Sequence, residues 1–466
     1  MVSHRTNGSS ARELGPEKTK HLLERALMYS TADETEITFT AMDEALTRFA
    51  HNSIHQNVAE RDAIIEVRAA IGTRVGAATT NDLSELGLER VVRTACELAQ
   101  HLPETPHWPG LPEPQTYPAV AAFDADVAAL CDDPQERART VAELCSRARA
   151  ASLAVSGAYS AARYEYALLN SKGLFAYAPS TQVDVTFVAE QAEPQASAYA
   201  HATGWRLAQI DLDSLAHTAF QQAITLQAPR RAPPGEYSVV LEPYAVLTLL
   251  EAMIENGMGA LAVQEERSWM CGHIGQQSLS PHISIVDDAL AADGLPRAFD
   301  CEGWPKQRVE IVRCGVPLSP VYDRVTAARE PHKTSTGHAQ PYDDEDWDGP
   351  APENLMLTPG AQTVPELISK VKRGLYINRF WYVRQTASHR AAATGTTRDA
   401  VWWIENGELA YPVHNLRFDQ ELVTALQHVS GVGRSLHTLS GFYGVHRVPA
   451  LALDTFRFVG TSEREP

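Results

Sequence analysis

Cysteine is scarce in this chain and badly spaced for a metal. The 466 residues contain six, Cys96, Cys131, Cys145, Cys271, Cys301 and Cys314. No two are separated by only two to four residues, which excludes a zinc knuckle. In a chain this long they read as reduced thiols of a cytoplasmic protein, each a small buried hydrophobe. Cations are also in deficit: 40 Lys and Arg stand against 58 Asp and Glu, a net charge of −18. Such a surface repels a phosphate backbone, so neither nucleic acid nor an anionic membrane is an expected partner. No stretch approaches the ~20 apolar residues of a membrane-spanning helix. The N-terminal MVSHRTNGSSARELG has no apolar core of the kind a secretory signal needs. There is no P-loop, no G-x-S-x-G elbow and no H-E-x-x-H. Gly257-Met258-Gly259-Ala260-Leu261-Ala262 spells GxGxxA, but it follows a helix instead of joining a strand to one, so it reads as a helix end.

What remains is an ordinary globular composition, 44% hydrophobic and 21% charged, with length for two or three domains. Residues 1–14 are polar, and Pro16 suits a first helical turn; the first domain is placed from residue 20, leaving 1–19 as a disordered tail. Alternation at Ile37, Phe39 and Ala41 predicts a strand, and Ala63–Thr79 predicts a strand or hairpin bending near Gly72 and Gly76. Leu88, Val91, Val92, Ala95, Leu98 and Ala99 recur at helical spacing and predict a helix over 84–101. Six prolines in 102–118 make that stretch an extended connector. A helix follows Pro134, strands fill 157–227 with a turn at Asn170–Gly173, and a short helix lies near 211–224. Pro229–Gly235, three prolines and two arginines in seven residues, is the best domain boundary. Beyond it the pattern predicts a strand at 239–241 and a helix at 243–256. Strands follow at 282–286, 308–313, 375–384, 400–405 and 408–413, a helix at 419–429 and a last strand at 451–459. The fold class is therefore α+β in two domains, 20–228 and 236–462, the second rich in strands.

The histidines do not pair convincingly. His51 and His55 sit four apart on a strand and turn, about 13 Å along the chain, too far to share an ion. His332 and His338 bracket a Lys-Thr-Ser-Thr-Gly turn and are candidate cleft contacts. Residues 341–353, with five acids among 343–348, read as a solvated loop. Trp381, Trp402 and Trp403 read as core packing.

Several stretches together resemble the TldD/PmbA family of peptidases, in which two homologous subunits pair and only one carries zinc. In the N-terminal half these are Thr47-Arg48-Phe49-Ala50-His51-Asn52-Ser53-Ile54-His55-Gln56-Asn57 and the Gly72/Gly76 pattern. In the C-terminal half they are Phe299-Asp300-Cys301-Glu302-Gly303-Trp304-Pro305-Lys306-Gln307, Tyr322-Asp323-Arg324, Ser335-Thr336-Gly337-His338-Ala339, Ile404-Glu405-Asn406-Gly407-Glu408, and Arg447-Val448-Pro449 to Phe458. Their order spans residues 20–460. In the zinc-carrying branch the helix after the first C-terminal strand resembles H-E-x-x-x-H, and a cysteine near the C-terminus is the third ligand. Two imidazoles and a thiolate leave one open position on zinc, and the Glu takes a proton from the bound water. Five residues turn an ideal helix about 140° past a full circle, so that spacing needs a bulge or a helix end.

This sequence departs from the pattern at every step. Glu251 takes the place of the first His, Ala252 that of the Glu, Asn256 that of the second His and Ser440 that of the cysteine. Read for themselves, Glu251 and Glu255 are an i, i+4 like-charge pair on a solvated face, Asn256 before Gly257 ends a helix, and Ser440-Gly441 is a turn. The resemblance implies a non-catalytic subunit without a cofactor of its own. It would pair with a zinc-bearing homologue and help enclose a cleft for unfolded peptide. Two alternatives stand beside it: a stand-alone or homodimeric peptide-binding protein, and a metallopeptidase with a divergent metal site built from His332, His338 and the 343–348 acids.

Overall fold

A computed structural model describes residues 14–191, 197–226, 228–255, 257–341, 349–387 and 391–461. The N-terminal half is a six-stranded antiparallel sheet of β1 (Glu34–Ala50), β2 (Ser53–Ile71), β3 (Arg74–Thr80), β4 (Ala154–Asn170), β5 (Phe175–Glu190) and β6 (Ser197–Gly204), in the order β3-β2-β1-β4-β5-β6. Strict alternation builds it. On β1 the odd positions Ile37, Phe39, Ala41, Ala45 and Phe49 are buried under five helices on one face. Asp43 interrupts this run. It is buried and paired with Arg163 (Nε–Oδ2 2.9 Å) and Arg61 (Nε–Oδ1 3.2 Å), and it divides the packing into two clusters. Helices Pro16–Leu27 and Glu85–His101 cover one. Helices Ala125–Asp132, Pro134–Ala150 and Leu212–Thr225 cover the other. Their starts are encoded locally. Ser84 accepts a hydrogen bond from the Gly87 N–H, and Asp133 accepts from those of Gln135 and Glu136 just before Pro134. The first helix begins at Pro16 and buries Thr19, so the expected tail 1–19 overlaps a helix.

The C-terminal half has two sheets. One contains β7 (Gly235–Leu241), β12 (Arg373–Ala387), β13 (Ala392–Glu405), β14 (Glu408–Pro412), β15 (Leu416–Glu421), β16 (Val429–Val432) and β19 (Leu451–Thr461). The order is β12-β7-β19-β15-β13-β14, and β12 also pairs with β13, so five strands close into a small barrel filled by Phe380, Phe418, Phe456 and Phe458. The other sheet is β8 (Ile285–Asp287), β9 (Val309–Arg313), β10 (Val316–Pro317), β11 (Leu355–Leu357), β17 (His437–Gly441) and β18 (Gly444–Val448), ordered β10-β9-β8-β11-β18-β17. The expected helix at 419–429 is instead the end of β15 followed by helix Leu422–Gln427. Leu416, Phe418 and Gln420 alternate inward, and barrel pairing wins over local helix preference.

The uncovered face of the N-terminal sheet meets the C-terminal half. Arg68 on β2 is buried between Glu36 (2.6 Å) and Glu302 (3.5 Å), and Phe299 packs against Leu168 and Tyr117. The described residues include no helix long and apolar enough to cross a membrane.

Candidate functional site

Helix Pro243–Glu255 is the wall of the cleft, as its sequence PYAVLTLLEAMIE dictates. Val246, Leu249, Leu250, Met253 and Ile254 are buried. What stays partly open is a stripe at i, i+4, i+7 and i+11: Tyr244, Thr248, Glu251 and Glu255. All four line an open cavity of about 670 Å³ between this helix, β6, the end of β12 and the tip of the β17–β18 hairpin.

Ser440 and Gly441 end β17, and Gly441 pairs with Gly444 across a two-residue turn, Phe442-Tyr443. The turn's backbone N–H groups point at the helix. Those of Phe442 and Tyr443 (3.2 Å) both donate to Oε1 of Glu251. A Cβ at residue 441 would overlap that oxygen, so only glycine permits the approach. Burial pushes the Glu251 carboxyl up, and Glu255 one turn away adds to it, against the pull of the two N–H groups. Burial likewise pushes Glu255 up.

Ser440 meets the N-terminal domain. Its hydroxyl donates to Oδ2 of Asp184 on β5 (2.6 Å) and lies 2.9 Å from Nε2 of His201 on β6. His201 Nε2 is also 3.0 Å from Asp184 Oδ2. Burial pushes the Asp184 carboxyl up, but the His201 and Ser440 hydrogen bonds outweigh it and leave it below the usual range. Ser, His and Asp suggest nucleophilic catalysis, but the connections are wrong for it. A triad needs the carboxylate on the ring nitrogen remote from the serine. Here both contact Nε2, and the serine proton goes to the carboxylate. The trio is a satisfied polar bridge between domains.

The mouth of the cleft is aromatic and cationic. Trp381, Tyr382 and Phe442 are 47%, 69% and 66% exposed. Arg379 ion-pairs with Asp399 and stacks 4.0 Å from the Tyr199 ring, and Arg384 lies 4.5 Å from that of Tyr382. Trp381 is thus a wall of the cleft and not core as expected; Trp403 alone of the three tryptophans is buried.

The sequence candidates separate. Glu251, Ala252 and Ser440 come together in the cleft. Glu251 is not on a solvated face, because its carboxylate is bound to the hairpin. Asn256 and the acids 343–348 lie outside the described residues. The two loop histidines do not reach the cleft. His332 is exposed on a turn with φ of +66°. His338 is fully buried, with Nε2 3.0 Å from Asp287 Oδ1 and Nδ1 2.9 Å from Thr336 Oγ1. Asp184 and His201 were missed. The only signal was a polar residue inside each of the apolar runs Val183–Val188 and Ala198–Ala202, and nothing local linked either to Ser440.

Two family models match this chain: the PmbA/TldA metallopeptidase C-terminal domain over residues 234–460, and PmbA/TldA metallopeptidase domain 1 over residues 36–99. The chain belongs to the PmbA/TldD family. It is 21% identical over 441 residues to Metalloprotease PmbA of Escherichia coli O157:H7, covering 92% of this chain and 93% of that protein. It is 22% identical over 291 residues to a protein of Methanothermobacter thermautotrophicus named Metalloprotease, covering 60% of this chain and 62% of that one. In fold it is similar to the crystal structure of TldE from Thermococcus kodakarensis, with a TM-score of 0.85 at 17% identity, over 95% of this chain and all of that one.

Zinc, which the resemblance implies for a homologous partner and not for this chain, does not fit the groups present here. Ala252 cannot accept a proton. One oxygen of Glu251 is committed to two N–H groups, and the Ser440 hydroxyl is committed to Asp184. Among the described residues, no three His, Cys, Asp or Glu side chains converge as a metal would require.

Proposed function

We propose that this chain is the non-catalytic subunit of a PmbA/TldD-type metallopeptidase. It pairs with a zinc-bearing homologue and contributes a cleft wall that binds unfolded peptide by added-strand and aromatic contacts. What supports this reading is the donor set: matched by resemblance to the zinc branch's His, Glu and Cys, this chain offers Glu251, Ala252 and Ser440. The outer edge of β6 and the exposed Trp381 and Tyr382 supply the peptide contacts.

Co-expression with the H-E-x-x-x-H homologue from the same genome tests it. The expected result is one co-purifying complex that degrades an unfolded protein and is inhibited by a chelator. The lone chain should be inactive and hold no zinc after dialysis. Near one zinc per lone chain, or chelator-sensitive hydrolysis by it, would sink the proposal. The exposed aromatic mouth also favours a second reading, a homodimeric peptide binder. A stable dimer that binds peptide and ignores the zinc homologue would select it.

A further inference from the structure

The mismatch with zinc raises the question of what holds this cleft together. A metal at such a site would tie a helix to the hairpin that supplies the thiolate. In this chain the same two elements are joined by other means. Glu251, from the middle of helix Pro243–Glu255, accepts the N–H groups of Phe442 and Tyr443 at the hairpin tip. One residue before Gly441, Ser440 is gripped by Asp184 and His201 of the other domain. Both grips use a carboxylate as acceptor, and hydrogen bonds to charged groups are the strong ones.

Two further features show that the contact is built. Gly441 removes the one Cβ that would push Glu251 away. Glu251 also keeps its place although burial and Glu255 both disfavour its charge. Turning both N–H groups inward sends the Phe442 side chain out, 66% exposed, to the rim beside the β12 aromatics.

We propose that Glu251 is a positioning residue that replaces a metal ion. Its carboxylate clasps the Phe442-Tyr443 tip to the helix, so the cleft wall and its aromatic rim keep their shape without any metal. The clasp rests on the reading of this chain as zinc-free, and the test separates the two. Zinc content and co-purification report on the subunit role, whereas exposure of the tip reports on the clasp.

The experiment is limited chymotrypsin digestion of the full chain, following cleavage at Phe442 and Tyr443 by mass spectrometry. Wild type should be cut at the same slow rate with EDTA, with added zinc, or with neither. Glu251→Ala should be cut there about tenfold faster, the factor for about 1.4 kcal/mol of easier local opening. Glu251→Gln keeps an oxygen in the same place and should recover most of the protection. If Glu251→Ala does not fold, Gly441→Ala displaces the carboxylate from the other side and should show the same acceleration. A tip equally protected in Glu251→Ala or Gly441→Ala, a Gln variant as labile as Ala, or a wild-type tip loosened by EDTA would each overturn the clasp.

Discussion

Replacing His338 by leucine should destabilise the C-terminal half without removing any group of the cleft. The imidazole and its partner Asp287 are both wholly buried, 3.0 Å apart. Asp287 Oδ2 also accepts the N–H groups of Glu353 (3.0 Å) and Asn354 (2.8 Å), which fixes β8 against the start of β11. Burial pushes the Asp287 carboxyl up. His338, then Lys306, then the Asn354 N–H outweigh it and hold the group down to about 2. Leucine removes the largest of these and leaves a carboxylate in a dry site, a change that costs about 3–5 kcal/mol when a buried pair loses one member. The sign of the pH dependence follows. A depressed carboxyl contributes stability above its ordinary 3.8, and that stability is lost as pH falls towards 2. The wild type should therefore lose stability steeply in that window, and His338→Leu should lose much less there because its advantage is already gone. Urea unfolding followed by tryptophan fluorescence at pH 7 and pH 3 measures both. A variant within about 1 kcal/mol of wild type at pH 7 would refute the argument, since no intact buried pair could be that cheap to break.

Asp184→Asn should cost about 1.5–3 kcal/mol, the range for a hydrogen bond to a charged group, read by urea unfolding, and it should weaken the domain contact more above pH 4 than below it. Glu242, which accepts from the Tyr376 hydroxyl, is pushed up to about 7 by burial. A raised carboxyl destabilises as pH climbs from 4.5 through 7, so Glu242→Gln should flatten the fall in melting temperature between pH 5 and pH 8. Trp381→Ala removes an exposed ring, so stability should stay within about 0.5 kcal/mol while the fluorescence response to an unfolded peptide is lost; an unchanged response would remove Trp381 from the peptide site.

Where local pattern and tertiary structure agree, the elements could be read from sequence. Helix Glu85–His101 announced itself by its apolar stripe, and helix Pro134–Ala150 by Pro134. The connector 102–118 followed from proline alone. The β17–β18 hairpin, which carries Ser440, was not legible. Each strand has only five residues, and its turn is Phe-Tyr between glycines, without the Asn-Gly or Asp-Gly signal. Family resemblance put Glu251 and Ser440 at one site but could not say what they bind. Glu251's donors are backbone N–H groups nearly two hundred positions away, and Ser440's partners lie on β5 and β6, more than two hundred away. Periodicity reports which face a residue takes and not what stands opposite. His338 shows the same limit from the other side, for a polar residue in a Thr-Gly turn reads as exposed until a buried aspartate claims it.

The two kinds of polar burial in this half of the molecule differ in a way that bears on function. Around Asp287, His338, Lys306 and Glu353, charges are matched: Lys306 pairs with Glu353 at 2.6 Å, Arg297 does so at 2.9 Å, and both acids are held down to about 2. Such a cluster is rigid scaffold, because moving any member strands another in a dry site. At the cleft, Glu251 and Glu255 are both pushed up, and Glu251 is restrained first by two backbone N–H dipoles and only then by His201. Opening the tip returns the Glu251 carboxyl to water and to its ordinary 4.5, so a carboxyl raised in the closed state destabilises that state as pH climbs above 4.5. The cleft wall should therefore loosen as pH rises, whereas the scaffold beneath it loosens as pH falls towards 2. Chymotrypsin cleavage at Phe442, normalised to that of a free peptide at each pH, should slow on mild acidification while the tryptophan signal of the scaffold still reports a folded barrel. Cleavage that accelerates on mild acidification, or that follows the tryptophan signal at every pH, would mean that Glu251 clasps nothing separable.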